Sequence, residues 1–102
     1  MRQLLPKELK EWMDTGKEFA LVDVRELHER DAYNIGGTHI PMGEIVQRIN
    51  ELPRDKEVVF YCEKGIRSVI VIQRIEAAGF QNLLNLAGGM KAWKAIVLNQ
   101  TD

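Results

Sequence analysis

Short continuous runs of apolar residues mark the predicted strands of this chain. Runs of about four to eight such residues, bounded by polar or turn residues, are typical of strands buried on both faces of a parallel sheet. Three segments have this pattern: residues 19–24, 57–61 and 83–86. The second is the clearest strand, because Val58, Val59 and Phe60 follow one another without a polar break.

Apolar residues at helical spacing lie between those runs and predict helices. The helical segments are residues 6–13, 44–52 and 69–78, with a short one after the glycines at 88 and 89. A further short helix is expected within the polar stretch 25–34. In the segment 44–52 the residues expected to be buried are Ile45, Val46, Ile49 and Leu52.

The alternation of strands and helices predicts an α/β fold. It favours three layers, with a mostly parallel central sheet and helices on both of its faces. The length suits one domain over residues 1–102, with the end of the chain, 99–102, expected to fray. Ligands of such folds bind beyond the carboxyl ends of the strands. Cys62 follows the clearest strand and precedes a helix, so the pattern places it where a ligand would bind.

Composition and charge exclude several classes of protein. The net charge of -1, from 14 basic and 15 acidic residues, lacks the basic excess of a general nucleic-acid binder. No apolar run reaches the roughly 18 residues of a membrane helix, and none resembles a signal peptide, so a cytoplasmic location is expected. The single cysteine permits no internal disulfide and no cysteine-rich metal site. Neither a metal nor an organic cofactor is expected.

The polar loop that begins at Cys62 carries the candidate chemistry. Lys64 and Arg67 supply positive charge, and Gly65 lets the backbone curl closely around a ligand. Successive backbone N–H groups and the start of the next helix would add donors for an anion. The same surroundings favour the thiolate, which is the nucleophilic form of cysteine. Glu63 opposes this trend and is expected to face solvent.

Simpler interpretations apply to several polar residues. Cys62 itself could be a small buried residue, although the glycine and the two basic residues beside it favour a chemical role. Asp23 and Arg25 fit a strand-end ion pair as well as a supporting role near the site. His39 is expected to fix a turn by hydrogen bonding, and the charged run 29–31 to form a solvated face.

Four short motifs follow one another along the chain. They are residues 21–26 (Leu-Val-Asp-Val-Arg-Glu), residues 37–41 (Gly-Thr-His-Ile-Pro), residues 59–62 followed by Gly65, Arg67 and Ser68, and residues 86–93 (Leu-Ala-Gly-Gly-Met-Lys-Ala-Trp). Each motif alone is a weak signal. In this order and at this spacing, they resemble the rhodanese-like domain family, the sulfurtransferases, in its single-domain form.

The resemblance implies a sulfur-transfer reaction. A cysteine of this family attacks a sulfane sulfur donor such as thiosulfate, becomes a persulfide, and passes the outer sulfur to cyanide or a thiol. Cys62 matches that nucleophile, and Asp23 and Arg25 match residues that support the site. The implied substrate-binding residues are Glu63, Lys64, Gly65, Ile66, Arg67 and Ser68.

The resemblance also implies partners. These are a small-molecule sulfur donor and a thiol or cyanide acceptor, with a thioredoxin-like or sulfur-carrier protein as a further candidate. No nucleic acid or membrane partner is expected. Thiosulfate-using members often have a basic or neutral residue where this chain has Glu63, which leaves the donor open.

Two alternative functions stay open. A phosphatase or arsenate reductase on the same fold would need a wider loop, since cysteine phosphatases place five residues between cysteine and arginine. Only four residues separate Cys62 from Arg67, which suits a single sulfur better than a phosphate. The other alternative is a regulatory, non-catalytic binding module. Such modules usually lack the cysteine or carry extra domains.

Overall fold

A five-stranded parallel sheet forms the centre of the computed structural model, which describes residues 1–98. The strands are β1 (Arg2–Leu4), β2 (Ala20–Asp23), β3 (Thr38–His39), β4 (Val58–Tyr61) and β5 (Leu83–Leu86). They lie in the order β1-β5-β4-β2-β3. The predicted α/β class and parallel sheet are therefore confirmed. The expected fraying of residues 99–102 concerns residues outside the described range.

The part of the chain that the structure describes contains four α-helices. They are α1 (Pro6–Thr15), α2 (Leu27–Ala32), α3 (Arg67–Glu76) and α4 (Gly89–Val97), of which α2 has no buried residue. Buried residues of α1 and α4 share one hydrophobic cluster, and those of α3 share the other. No helix within residues 1–98 has both the length and the apolar character needed to cross a membrane.

Strand β4 separates the two clusters residue by residue. Its four residues are all buried, and successive side chains point to opposite faces of the sheet. Val58 and Phe60 join the cluster that contains the α3 side chains, whereas Val59 and Tyr61 join the one that contains α1 and α4. Cys62 continues this alternation and lies on the α3 side, at the carboxyl end of the central strand.

The single helix predicted over residues 44–52 is wrong. The chain there forms two 3-10 turns, Met42–Glu44 and Ile49–Glu51, with most of its backbone hydrogen bonds reaching three residues back. Ile45 and Leu52 are buried as predicted, but Val46 is 59% exposed. Apolar spacing over nine residues identifies the buried face, yet it does not distinguish a helix with 3.6 residues per turn from turns with 3.0.

Strand β1 was not predicted at all. It pairs with β5 in parallel, with Arg2 opposite Leu84 and Leu4 opposite Leu86. Only Leu4 of its three residues is buried. A three-residue edge strand with one buried side chain leaves no alternation to recognise in the sequence.

Candidate active site

The sulfur of Cys62 lies at the floor of a loop whose backbone N–H groups point toward it. The residue is only 1% exposed. Its Sγ accepts hydrogen bonds from the backbone N–H groups of Gly65, at 3.1 Å, and Ser68, at 3.4 Å. Helix α3 begins at Arg67 rather than at the predicted residue 69, so Ser68 donates from its first turn. These donors stabilise negative charge on the sulfur.

Helix α4 holds the carbonyl side of the same loop. The backbone N–H groups of Met90 and Lys91 donate to the carbonyl oxygens of Cys62 and Glu63, both at 2.9 Å. Gly89 lies so close that a Cβ there would be 2.5 Å from the Cys62 carbonyl oxygen. The loop carbonyls are therefore bound on the side of α4, and the opposing N–H groups are free to face the sulfur.

The loop opens into a pocket with a volume of about 350 Å³. Its walls are formed by Glu29, Cys62, Glu63, Lys64, Ile66 and Arg67. Gly65 and Ser68 donate backbone hydrogen bonds to the sulfur, so the structure brings together all the loop residues that the sequence indicated. Within residues 1–98, no three His, Cys, Asp or Glu side chains are grouped closely enough to hold a metal ion.

The expectation that Glu63 faces solvent is only partly right. Its side chain is 37% exposed, but it lines the pocket and its Oε1 lies 3.8 Å from Nη1 of Arg25. The sequence pairs Arg25 only with its neighbour Asp23, and the contact between Arg25 and Glu63, 38 residues further along the chain, leaves no local pattern that would predict it. An acidic residue therefore lines the same pocket as Cys62.

Arg67 does not stand free at the pocket. Its Nη1 and Nη2 donate to the two carboxylate oxygens of Glu29, each at 2.7 Å. Glu29 also accepts a hydrogen bond from the backbone N–H of Glu26 at the start of α2. Hydrogen bonds from Arg67 lower the pKa of Glu29 to about 2, so this carboxylate is ionised at neutral pH.

The prediction of a solvated face over residues 29–31 is therefore wrong for two of its three members. Glu29 binds Arg67, and Arg30 contacts Asp23 and the carbonyl oxygens of Gly36 and Gly37. Only Asp31 is exposed. A charged run on a short helix does not reveal its partners when those partners are far away along the chain, as Arg67 is here.

The ion pair between Glu29 and Arg67 should make the stability of the protein depend on pH in the acid range. The pKa of Glu29 lies below its ordinary value of 4.5, so the pair stabilises the fold above about pH 5, and this contribution is lost as the pH falls toward 2. In Glu29→Gln we expect this part of the acid dependence, on the order of 2 kcal/mol, to disappear. Urea unfolding at several pH values between 5 and 2 measures it.

The matched control is Asp31→Asn, which removes an exposed carboxylate from the same helix. This control is expected to keep the acid dependence of the wild type. An equally steep loss of stability in Glu29→Gln and the wild type would contradict the prediction.

Asp23 and Arg25 form a buried pair behind the pocket. Nε and Nη2 of Arg25 donate to the two carboxylate oxygens of Asp23, both at 2.9 Å. Burial opposes ionisation of Asp23, but the hydrogen bonds and positive charge of Arg25 outweigh it and hold the pKa of Asp23 below its ordinary value. His39 Nε2 contacts the Arg25 carbonyl oxygen at 2.7 Å. This contact joins β3 to the segment after β2, 14 residues away, and does not close the turn that the sequence predicted. The pair of Asp23 and Arg25 is next to the pocket, because Arg25 contacts Glu63, which lines it.

Sequence reasoning missed a buried polar chain behind the sulfur. Ser68 Oγ lies 3.3 Å from Cys62 Sγ and donates to Asn85 Oδ1. Asn85 Nδ2 in turn donates to Gln3 Oε1 at 2.9 Å. Because the Ser68 proton is directed to Asn85, its oxygen is left to accept from the Cys62 thiol. The available signal was Asn85 itself, a polar residue within an otherwise apolar buried strand.

Loss of the Ser68 hydroxyl should lower the stability of the protein mainly because Asn85 loses its hydrogen-bond donor. Ser68→Ala would leave the buried Oδ1 of Asn85 without its donor, and we expect a loss of about 1–2 kcal/mol in the free energy of unfolding. The same substitution should cost clearly less in an Asn85→Leu background, where no acceptor is left unpaired. Urea denaturation of the four proteins tests this, and equal costs in both backgrounds would contradict it.

Comparison with known proteins agrees with this geometry. The profile of the family described as "Rhodanese-like domain" matches residues 5–96. The chain is 34% identical to the probable adenylyltransferase/sulfurtransferase MoeZ of Mycobacterium tuberculosis, over 88% of the chain and 24% of that relative. It is 36% identical to the putative sulfurtransferase YtwF of Bacillus subtilis, over 92% of the chain and 91% of that relative.

A solved structure is similar over nearly its whole length. The crystal structure of a rhodanese-like domain protein from Staphylococcus aureus has a TM-score of 0.83 with this chain, at 32% identity and with 91% of each chain covered. The chain spans about a quarter of the length of MoeZ but most of the length of YtwF.

Proposed function

The chain belongs to the rhodanese-like domain family, and we propose that it is a sulfurtransferase in which Cys62 carries a sulfane sulfur from a donor to a thiophilic acceptor. Relatives named as sulfurtransferases support an enzyme of this type. The observation that carries the proposal is the position of the Cys62 sulfur, at the floor of a pocket and within hydrogen-bonding distance of two backbone N–H groups.

The proposed reaction has two steps. In the first, the Cys62 thiolate attacks the sulfane sulfur of the donor, a new S–S bond forms, and the donor's leaving group departs with the electron pair of the broken S–S bond. In the second step, cyanide or a thiolate attacks the outer sulfur of the persulfide and releases the Cys62 thiolate. Thiosulfate would leave as sulfite, and cyanide would leave as thiocyanate.

The loop supplies the groups that this reaction needs. The N–H groups of Gly65 and Ser68 stabilise the sulfur of Cys62 as a thiolate and again as the leaving group of the second step. Lys64 and Arg67 are the cations at the pocket wall, and Asp23 with Arg25 supports the wall from behind.

The pocket also fits a protein acceptor. Ile66 lines it and is 63% exposed, which places an apolar side chain at its rim. A thioredoxin-like or sulfur-carrier protein could contact this rim while its own thiol or terminal group reaches the persulfide.

Phosphate hydrolysis has less support, because the arginine that would bind a phosphate is held by Glu29.

The proposal is tested by loading the protein with sulfur. Purified protein incubated separately with thiosulfate and with inorganic polysulfide is expected to gain one sulfur atom by intact mass, and to lose it when cyanide is added. Protein whose thiol has first been alkylated is the control and should gain none. If the protein gains sulfur from neither thiosulfate nor polysulfide, the proposed function is refuted.

A further inference from the structure

The charges on the pocket walls cancel one another. The residues that line the pocket include two acidic ones, Glu29 and Glu63, and two basic ones, Lys64 and Arg67. Both terminal nitrogens of Arg67 are bound by Glu29, and the nearest cation to Glu63 is Arg25, which is already paired with Asp23. A pocket with this arrangement offers little net attraction to a dianion.

We propose that Glu29 determines the donor preference of the site by holding Arg67, so that the pocket favours an organic persulfide over thiosulfate. This inference rests on the proposed sulfur transfer and names the class of donor for it. Hydrogen bonds from Arg67 and from the backbone N–H of Glu26 fix the position of the Glu29 carboxylate at the pocket. It is a positioning residue, because it acts through Arg67 and not on the sulfur.

The charges of the two possible first steps differ. Attack of the Cys62 thiolate on thiosulfate brings a single negative charge against a double one, and yields a Cys62 persulfide anion and sulfite. Attack on the outer sulfur of a protonated persulfide, R–S–SH, brings one negative charge in total. It forms a new S–S bond to Cys62, breaks the S–S bond of the donor, and releases R–S⁻ with the electron pair of that bond, while the proton stays on the transferred sulfur. A pocket of balanced charge penalises the first reaction more than the second.

The experiment compares two donors in single-turnover loading of Cys62, followed by acid quench and intact mass. The donors are thiosulfate and cysteine persulfide, the latter made in situ from cystine and sulfide, with each reagent alone as a blank. The wild type is expected to load faster from cysteine persulfide. In Glu29→Gln we expect the second-order rate constant for thiosulfate to rise about tenfold, since Arg67 is released, and that for cysteine persulfide to change less than about twofold.

Two further variants separate this role from a general effect of charge. Asp31→Asn removes a carboxylate from the same helix but outside the pocket, and should leave the ratio of the two rate constants unchanged. In an Arg67→Gln background, Glu29→Gln should no longer favour thiosulfate. The gain in Glu29→Gln should also shrink as salt is added, because it depends on a freed charge.

Three outcomes are decisive. An unchanged or lower rate constant for thiosulfate in Glu29→Gln, with both donors still loading the wild type, would overturn the role of Glu29 and leave the proposed function standing. A gain that persists without Arg67 would also overturn it. Failure of both donors to load the wild type would instead refute the sulfur transfer itself.

Discussion

Cys62→Ser is expected to abolish sulfur transfer, lowering the rate by about 10³-fold or more. Cys62 is the only cysteine of the chain, so no second thiol can carry the sulfur. The serine hydroxyl would keep the hydrogen bonds from Gly65 and Ser68, but it is a far weaker nucleophile at neutral pH and forms no persulfide. The measurement is the rate of thiocyanate formation from thiosulfate and cyanide, together with loading from cysteine persulfide.

Folding must be monitored beside that rate. The substitution changes little volume at a buried position, so we expect the free energy of unfolding to stay within about 1.5 kcal/mol of the wild type. Cys62→Ala serves as a second variant without a hydroxyl, and should be equally inactive. A folded Cys62→Ser protein that kept a tenth of the wild-type rate would show that the reaction does not pass through Cys62.

Gly89→Ala is expected to cost about 2–5 kcal/mol of stability and to slow sulfur transfer at least about tenfold. The new Cβ would lie 2.5 Å from the carbonyl oxygen of Cys62 and 2.7 Å from the carbonyl group of Glu63, so it meets backbone that cannot rotate away. Gly89 also has a φ of +59°, which an alanine adopts only with strain. The loop would have to shift, and with it the N–H groups that face the sulfur.

Gly16→Ala is the matched control for that experiment. Gly16 has a φ of +75° but an added Cβ would have no atom within 4 Å, so this variant carries the conformational strain without the clash. It should cost about 1–2 kcal/mol and leave sulfur transfer unchanged. Urea unfolding and single-turnover loading measure both variants. Equal effects at the two glycines would contradict the assigned contact between Gly89 and the loop.

The sequence predicted the sheet well because its central strands are buried on both faces. Such strands are continuous apolar runs with a strong signal, and β4 is the clearest example. The edge strand β1 was not predicted from the sequence, since only one of its residues, Leu4, is buried. Apolar spacing predicts a helix where the chain forms turns after β3, because a helix and a pair of 3-10 turns can bury the same residues, here Ile45 and Leu52.

The candidate site was predictable only where its residues are neighbours in the chain. The loop that begins at Cys62 is one continuous segment, so its glycine and its cations are visible in the sequence, and the start of the following helix is predicted to within two residues. The partners that set its charge are not, because Glu29 precedes Arg67 by 38 residues. Asn85 was missed for the same reason, since its partners Ser68 and Gln3 lie far from it in the sequence. Contacts between single polar residues that are far apart in the chain produce no periodic pattern in the sequence.

The residues around the Cys62 sulfur come from distant parts of the chain, through the pairing of β1 with β5 and the hydrogen bonds from α4 to the loop. The Gln3 and Asn85 side chains that bond behind the sulfur are 82 positions apart, and the N–H groups that bind the loop carbonyls belong to Met90 and Lys91. A chain still emerging from the ribosome therefore holds Cys62 long before it holds the residues that shape its surroundings. The cradle for sulfur can form only after residues 85–91 have been synthesised, so sulfur transfer should appear in the nascent protein well after Cys62 itself has been made.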